Sequence, residues 1–166
     1  MSDCCSARTA AKPELKQPTA PAPACPACGR PGRDVAVQTV KHQVKPEHLA
    51  TASQGPWAFC RTPGCAVVYF NATGMRLTEA DVRQAVTAKG GDNPPLCYCF
   101  GFDTAMVRAE IRATGRCTIP ERIAAEMKVD LCACEIRNPQ GSCCLANVAA
   151  AVKRELTVHA NRSRTP

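Results

Sequence analysis

Thirteen cysteines in 166 residues are the part of this sequence able to do chemistry, and their spacing says which kind. In "CPACG", Cys25 and Cys28 stand two residues apart with Gly29 next, the form of a metal knuckle in which glycine permits the unusual turn angles. "FCRTPGC" supplies a second pair, Cys60 and Cys65, again on a Pro-Gly turn, after a gap long enough for the strands of a zinc ribbon. Four thiolates suit tetrahedral Zn2+, a redox-inert ion that would add folding energy. Iron in a rubredoxin-like site is the rival occupant. His42 and His48 lie between the pairs and are read as surface or packing residues rather than ligands.

A second set of thiols follows. "LCYCFGF" carries Cys97 and Cys99 in a C-x-C directly before a helical stretch, and "DLCACEIRNPQGSCCL" carries Cys132, Cys134, Cys143 and Cys144 around an Asn-Pro-x-Gly turn. Two ligands as close as those of the C-x-C can hold a single iron atom. A C-x-C, a helical spacer and a second cysteine pair leading into a last helix is a known way of giving four thiolates to a [2Fe-2S] cluster. Cys97 and Cys99 are the firmest members of the set. Cys132 and Cys134 both fit the third place, with Cys134 preferred because it lies nearer the turn that folds the chain back. Cys143 and Cys144 both fit the fourth. The thiols left over are read as buried small residues, and Cys117 in "GRCTI" as an ordinary loop or core residue.

Disulfides are the poorer reading. An odd cysteine count and the adjacent pairs Cys4-Cys5 and Cys143-Cys144 forbid complete, unstrained intramolecular pairing. "MSDCCSARTAAKPELKQ" has no apolar run of secretory length, and nowhere does the sequence approach the roughly 20 apolar residues of a membrane span. The expected setting is a reducing cytoplasm without membrane insertion, where dense cysteine means metal before it means disulfide. With aromatic residues at 4% and one tryptophan, hydrophobic burial is thin and a metal is the natural restraint.

The formal charge of +7 invites a nucleic-acid reading. It counts every cysteine as neutral, however, and each four-thiolate site would carry −2, so two sites remove more than half of it. No basic stripe interleaved with aromatics supports nucleic-acid binding.

Around these thiols the chain divides into a disordered leader (1–24), rich in Ala, Pro, Ser and Thr; a β-rich, zinc-ribbon-like lobe (25–91); a helical lobe (92–158); and a flexible tail (159–166). The expected class is α+β. In the first lobe "DVAVQTV" alternates like a strand, "CAVVYFNATG" reads as a strand ending in a turn, and "RLTEADVRQAV" offers Thr78 with Asp81 as the start of a short helix. "AKGGDNPP" is the linker. In the second lobe Asp103 caps "TAMVRAEIRATG", which Gly115 ends; Thr118 with Glu121 forms a capping box for "IPERIAAEMK"; and Ser142 or Cys143 starts a helix whose apolar face is Leu145, Val148, Ala149, Val152 and Leu156. Cys4 and Cys5 on the leader are a weak candidate for soft-metal capture.

The segments "CPACG", "FCRTPGCAVVYF", "LCYCFGF" and "CACEIRNPQGSCCL", in that order, resemble the N-terminal domain of CopZ-type copper chaperones, whose second half in turn resembles bacterioferritin-associated ferredoxin. The resemblance implies zinc on Cys25, Cys28, Cys60 and Cys65 and a redox-active [2Fe-2S] cluster in the second lobe. In the ferredoxin-like pattern the last ligand begins the final helix, which favours Cys144. Full-length members continue into a copper-binding domain with its own Cys-x-x-Cys loop, and this sequence reaches Pro166 without one, so the redox module is what the resemblance implies here. The expected function is non-enzymatic metal handling: one-electron transfer in copper or related heavy-metal trafficking, for example reduction of Cu(II) to Cu(I), with metal ions and a protein redox or metal-transport partner. A cluster-based sensor or regulator is the alternative. A thiol enzyme built on Cys143 or Cys144 is disfavoured, since His159 is the only histidine downstream.

Overall fold

The computed structural model describes residues 23–162, so Cys4 and Cys5 lie outside the described residues. In chain order come β1 (Arg33–Val35), α1 (Val37–Gln43), α2 (Leu49–Ala52), β2 (Trp57–Phe59), β3 (Val67–Phe70), β4 (Arg76–Thr78), β5 (Pro95–Cys97), β6 (Phe102–Asp103), α3 (Thr104–Thr114), α4 (Ile119–Lys128), α5 (Cys134–Arg137) and α6 (Leu145–Arg162). Strands β1 to β4 form one antiparallel sheet in sequence order, and β5 and β6 form a small hairpin. The molecule is α+β: the four-stranded sheet, with α1 and α2 inserted between β1 and β2, comes first, and the β5–β6 hairpin with helices α3 to α6 follows.

The sheet has a core on each side of β3. A register shift between Val67 and Tyr69 lets successive residues serve different cores. Val68 and Tyr69 pack with Val40, Trp57 and Leu77, whereas Val67 and Phe70 pack with Ala58 and the cysteines of the first metal constellation. Gly32 is required there, because a Cβ at that position would come within 2.5 Å of the Phe70 ring and 2.7 Å of Ala58. Trp57, 2% exposed, donates its indole N–H to the Ala52 carbonyl at 3.0 Å, so the single tryptophan is buried with its polar atom satisfied.

Two expectations for this lobe are corrected. Only the start of "DVAVQTV" is a strand. From Val37 the chain turns helical, and Val40, Gln43 and Val44 are buried at helical spacing. Tertiary burial of that face outweighs the local alternation. "RLTEADVRQAV" is not a helix either: it is β4 followed by a single 3-10 turn, Glu79–Asp81. The capping residues do meet, as the Asp81 carboxylate accepts from the Thr78 N–H at 2.7 Å and its hydroxyl at 2.8 Å. The backbone beyond is drawn off by long-range pairing, Lys45 N–H to the Asp81 carbonyl and Arg83 N–H to the Gln43 carbonyl, with Val82 bridging Val44.

In the second lobe α3 and α4 pack on α6. Val107 and Ile111, Ile119 and Ile123, and Val148 and Ala151 supply the contact at helical spacings, closed by Leu96. Asp103 caps α3 as expected, its side chain accepting from the Met106 N–H at 2.8 Å, and Gly115 ends the helix at φ +73°. The Thr118–Glu121 capping box does not form, because the Thr118 hydroxyl and N–H both reach Glu110 on α3 instead, at 2.7 and 2.8 Å. The face of α6 is also turned from the expected one: Ala151 is buried, Ala149 and Leu156 are exposed, and the helix runs on to Arg162, into the stretch expected to be a tail.

Asp103 offers a direct test of this assembly. The Met106 N–H, then the Asn93 amide and Ala105 N–H, outweigh partial burial and hold its carboxyl below the usual range. A depressed carboxyl stabilises above its unfolded pKa, near 4, and that contribution is lost as the pH falls through the folded value. Asp103→Ala is expected to cost about 1 kcal/mol at neutral pH, and less below about pH 4, with Asp103→Asn keeping most of the cap. Thermal melts at the two pH values measure it.

Candidate metal centres

The first site is built by two turns facing each other across the sheet edge. Cys25 N–H donates to the Arg30 carbonyl and Gly29 N–H to the Cys25 carbonyl, both at 2.8 Å, closing the first knuckle with Gly29 at φ +69°. In the second, Cys65 N–H reaches the Thr62 carbonyl at 3.3 Å and Gly64 takes φ +70°. The turns bring the Sγ atoms of Cys25, Cys28, Cys60 and Cys65 all within 4.8 Å of one another, with Cys25–Cys65 at 3.9 Å and Cys28–Cys60 at 3.7 Å. That is the spacing at which four sulfurs can share one tetrahedral ion. The longer loop between Cys60 and Cys65 does not disturb it. Both histidines stand apart: His42 is exposed beside Gln43, and His48 is paired with Asp81 at 3.2 Å.

The thiols of this site differ in character. The Thr62 hydroxyl, 3.3 Å from Cys28 Sγ, and the Arg30 N–H hold Cys28 down to about 6. Burial pushes Cys65 up to about 11 and raises Cys25 as well. Before an ion enters, Cys28 is the ready thiolate and Cys25 and Cys65 are protonated.

Lys89 is a residue that motif reading missed. It is 7% exposed, donates from Nζ to the carbonyls of Cys60 and Thr62 at 2.8 and 3.3 Å, and lies 5.9 Å over the Phe59 ring. Among the described residues no carboxylate pairs with it. Its ammonium is instead satisfied by the backbone carbonyl of one of the four cysteines and that of Thr62 in the same loop. Nothing in "TAKGG" announces this; only the fold brings Lys89 to Cys60.

The second set of thiols lies against the core of the other lobe. The β5–β6 turn presents Cys97 and Cys99, α5 begins at Cys134, and α6 follows Cys144. Cys99 and Cys134 Sγ are 3.7 Å apart, while Cys97 and Cys144 are buried in the same core cluster and shift one another's titration. Each member of the C-x-C is thus associated with a different downstream cysteine, Cys99 by direct contact with Cys134 and Cys97 by its electrostatic coupling to Cys144. These thiols come as two pairs, and among the described residues only the first site gathers its sulfurs round a single point. Of the leftover cysteines, Cys132 is half-buried and Cys143 exposed, whereas Cys134 and Cys144 are buried at 6% and 1% exposure. Cys117 is half-buried, its Sγ 3.5 Å from Glu110, and burial raises its thiol.

Backbone amides converge on these sulfurs. Ala133 N–H donates to Cys99 Sγ at 3.3 Å. The Cys144 thiol holds Cys97 down to about 6, with help from the Phe100 and Cys99 N–H groups against burial, and is itself raised in turn. Burial pushes Cys134 up to about 12 even though the Cys144 N–H points at it.

Comparison with known proteins agrees with this arrangement. Residues 22–83 match the zf_CopZ family, described as a zinc binding domain, and all four cysteines of the first site fall inside the match. The copper chaperone CopZ of Archaeoglobus fulgidus is 30% identical over 72% of this chain. The crystal structure of the N-terminal domain of that protein superposes with a TM-score of 0.64 at 25% identity, covering 76% of this chain and 95% of the other. The chain carries a CopZ-type N-terminal domain.

It is a zinc-binding, metal-handling domain with a four-cysteine site. The CopZ-type domain here spans 57% of the length of the curated chaperone it matches. Among the described residues no helix of it is long and apolar enough to cross a membrane.

Proposed function

We propose that this CopZ-type domain is a non-enzymatic, cytoplasmic one-electron module in copper or related heavy-metal handling, with zinc on Cys25, Cys28, Cys60 and Cys65 and a [2Fe-2S] cluster on Cys97, Cys99, Cys134 and Cys144. The observation that carries the reading is the division of the second set into the contacting pair Cys99–Cys134 and the coupled pair Cys97–Cys144, with backbone N–H groups aimed at the sulfurs. Two irons, each needing two protein sulfurs, ask for two pairs, whereas one tetrahedral ion asks for a foursome. The donor set therefore fits the cluster. When bound, such a cluster supplies reversible one-electron chemistry, and the use we propose is reduction of Cu(II) to Cu(I), the state that thiolate carriers hold best.

The chain's own part is to hold and tune. Leu96, Val107 and Val148 are buried in one apolar cluster with Cys97, Cys134 and Cys144, and Ala133, Phe100 and Cys144 contribute the amides that stabilise charge on sulfur. Half-buried Cys99 gives the site its outlet to a protein partner or to a copper ion.

Anaerobically purified protein is expected to hold one zinc, two irons and two sulfides per chain, to show visible absorbance that dithionite bleaches, and, once reduced, to convert Cu(II) to Cu(I) one for one. Iron-free protein that stays colourless after reconstitution would sink the cluster. A cluster that forms but leaves Cu(II) untouched would sink only the copper step.

A further inference from the structure

Both halves of the second thiol set are anchored on the first lobe. The C-x-C is tied through its middle residue: the Tyr98 hydroxyl donates to the Ala85 carbonyl at 3.0 Å and accepts from the Thr87 N–H at 2.9 Å. The downstream half is held more firmly. Gln43 of α1, 1% exposed, donates its amide N–H groups to the carbonyls of Ile136 and Arg137 at 3.0 and 2.9 Å, while its Oε1 accepts from Gln84 at 2.9 Å. Thr39, one helical turn earlier and fully buried, donates its hydroxyl to the Glu135 carbonyl. Tyr69 of β3, also fully buried, donates its hydroxyl to the Pro139 carbonyl at 2.8 Å. Behind them Gly141, at φ +64°, approaches Val35 so closely that an added Cβ would lie 3.0 Å from it.

These four carbonyls belong to the turn between Cys134 and Cys144. Three are the last carbonyls of α5, a helix of one turn that has no later residues to satisfy them. A four-residue helix is not stable by itself. Its donors come from the lobe whose other face is the zinc site: Tyr69 sits on the same strand as Phe70, which packs on the zinc-side cysteines.

We propose that the zinc lobe is the template for the second site, with Gln43, Thr39 and Tyr69 as positioning residues that hold the 135–139 turn so that Cys134 and Cys144 meet Cys99 and Cys97. None of the three touches the thiols. They act by fixing the backbone on which two of the four are carried, as outer hydrogen bonds do at other metal sites. First-lobe order and second-site integrity are thereby linked: an ordered first lobe is needed to assemble the second site. The proposal rests on the cluster reading for its purpose but not for its geometry.

The test uses the full chain with zinc bound, comparing wild type with Gln43→Glu, which keeps the shape but loses the amide donors, Tyr69→Phe, and Val40→Ala as a control that loosens the same core without touching the turn. Two readouts are taken. On cluster-loaded protein, the rate of visible bleaching under an iron chelator is expected to rise about tenfold in Gln43→Glu and Tyr69→Phe, with zinc still one per chain, and to change little in Val40→Ala. On iron-free, zinc-loaded protein, alkylation of Cys134 and Cys144 by a maleimide, located by mass spectrometry, is expected to rise by a similar factor in the same two variants. Wild-type rates in both variants, or an equal rise in Val40→Ala, would overturn the proposal. If wild type takes up no iron, the cluster reading fails while the alkylation comparison still decides this one.

Discussion

Cys60→Ser is expected to cost the first lobe its zinc and, with it, its fold. The four sulfurs lie within 4.8 Å of one another at the edge of a small sheet, and Cys25 and Cys60 are each 1% exposed. Structural zinc in such sites contributes on the order of 10 kcal/mol in apparent terms, comparable to the whole stability of a small domain. The variant should therefore contain less than one zinc per chain, and Trp57, buried at 2% exposure, should shift its fluorescence to the red. His42→Ala and His48→Ala should leave both signals unchanged, because neither ring lies at the site. Zinc-free Cys60→Ser protein with native Trp57 emission and an unchanged melting temperature would mean the metal is not structural. Zinc uptake should also release protons at neutral pH, from Cys25, which burial raises, and from Cys65, which burial pushes to about 11, but little from Cys28, held near 6 by Thr62. Affinity accordingly falls as the pH is lowered, since protons compete for the same sulfurs. Loss of tight binding on raising the pH from 6 to 8 would contradict the assignment.

The second large effect separates neighbouring cysteines. Cys134→Ser and Cys144→Ser are expected to abolish the visible absorbance of reconstituted protein, whereas Cys132→Ser and Cys143→Ser should retain most of it. Cys134 lies 3.7 Å from Cys99 and Cys144 is buried in the same core cluster as Cys97; Cys143 is exposed and Cys132 half-buried. A serine oxygen is a hard, weakly acidic donor and a poor replacement for a thiolate. An unaffected cluster in Cys134→Ser together with its loss in Cys132→Ser would reverse the choice. Zinc, counted in each variant, should stay at one per chain, which keeps a local ligand loss apart from unfolding.

How much of this was legible in the sequence differs between the two sites. At the first, "CPACG" and "FCRTPGC" are local turns whose Gly29 and Gly64 take the left-handed angles that the spacing demands, so the four residues could be named from sequence alone. At the second, each adjacent choice depended on which way a backbone faces. Cys143 and Cys144 are chemically identical neighbours, and only the entry into α6 turns one inward and leaves the other in solvent. Helix reading succeeded where the signal is local, as with Asp103 and Gly115 at the ends of α3. It failed where a distant partner intervened: Thr118 turned to Glu110, "RLTEADVRQAV" was drawn into pairing with residues 43–45, and the second half of "DVAVQTV" coiled to bury Val40 and Gln43.

By itself the sequence determined the inventory: thirteen cysteines, two of their turns, a charge of +7 that four-thiolate sites would lower, and the two ends of α3. Tertiary structure decided everything that depends on residues far apart in the chain. It set Lys89 against Cys60, paired each C-x-C thiol with its own downstream partner, and laid Gln43, Thr39 and Tyr69 under the turn that carries Cys134 and Cys144. The physical reason is that spacing constrains only what a few bonds can reach. A hydrogen bond from Gln43 to Arg137 spans 94 positions, and nothing at either end signals the other until the lobes pack.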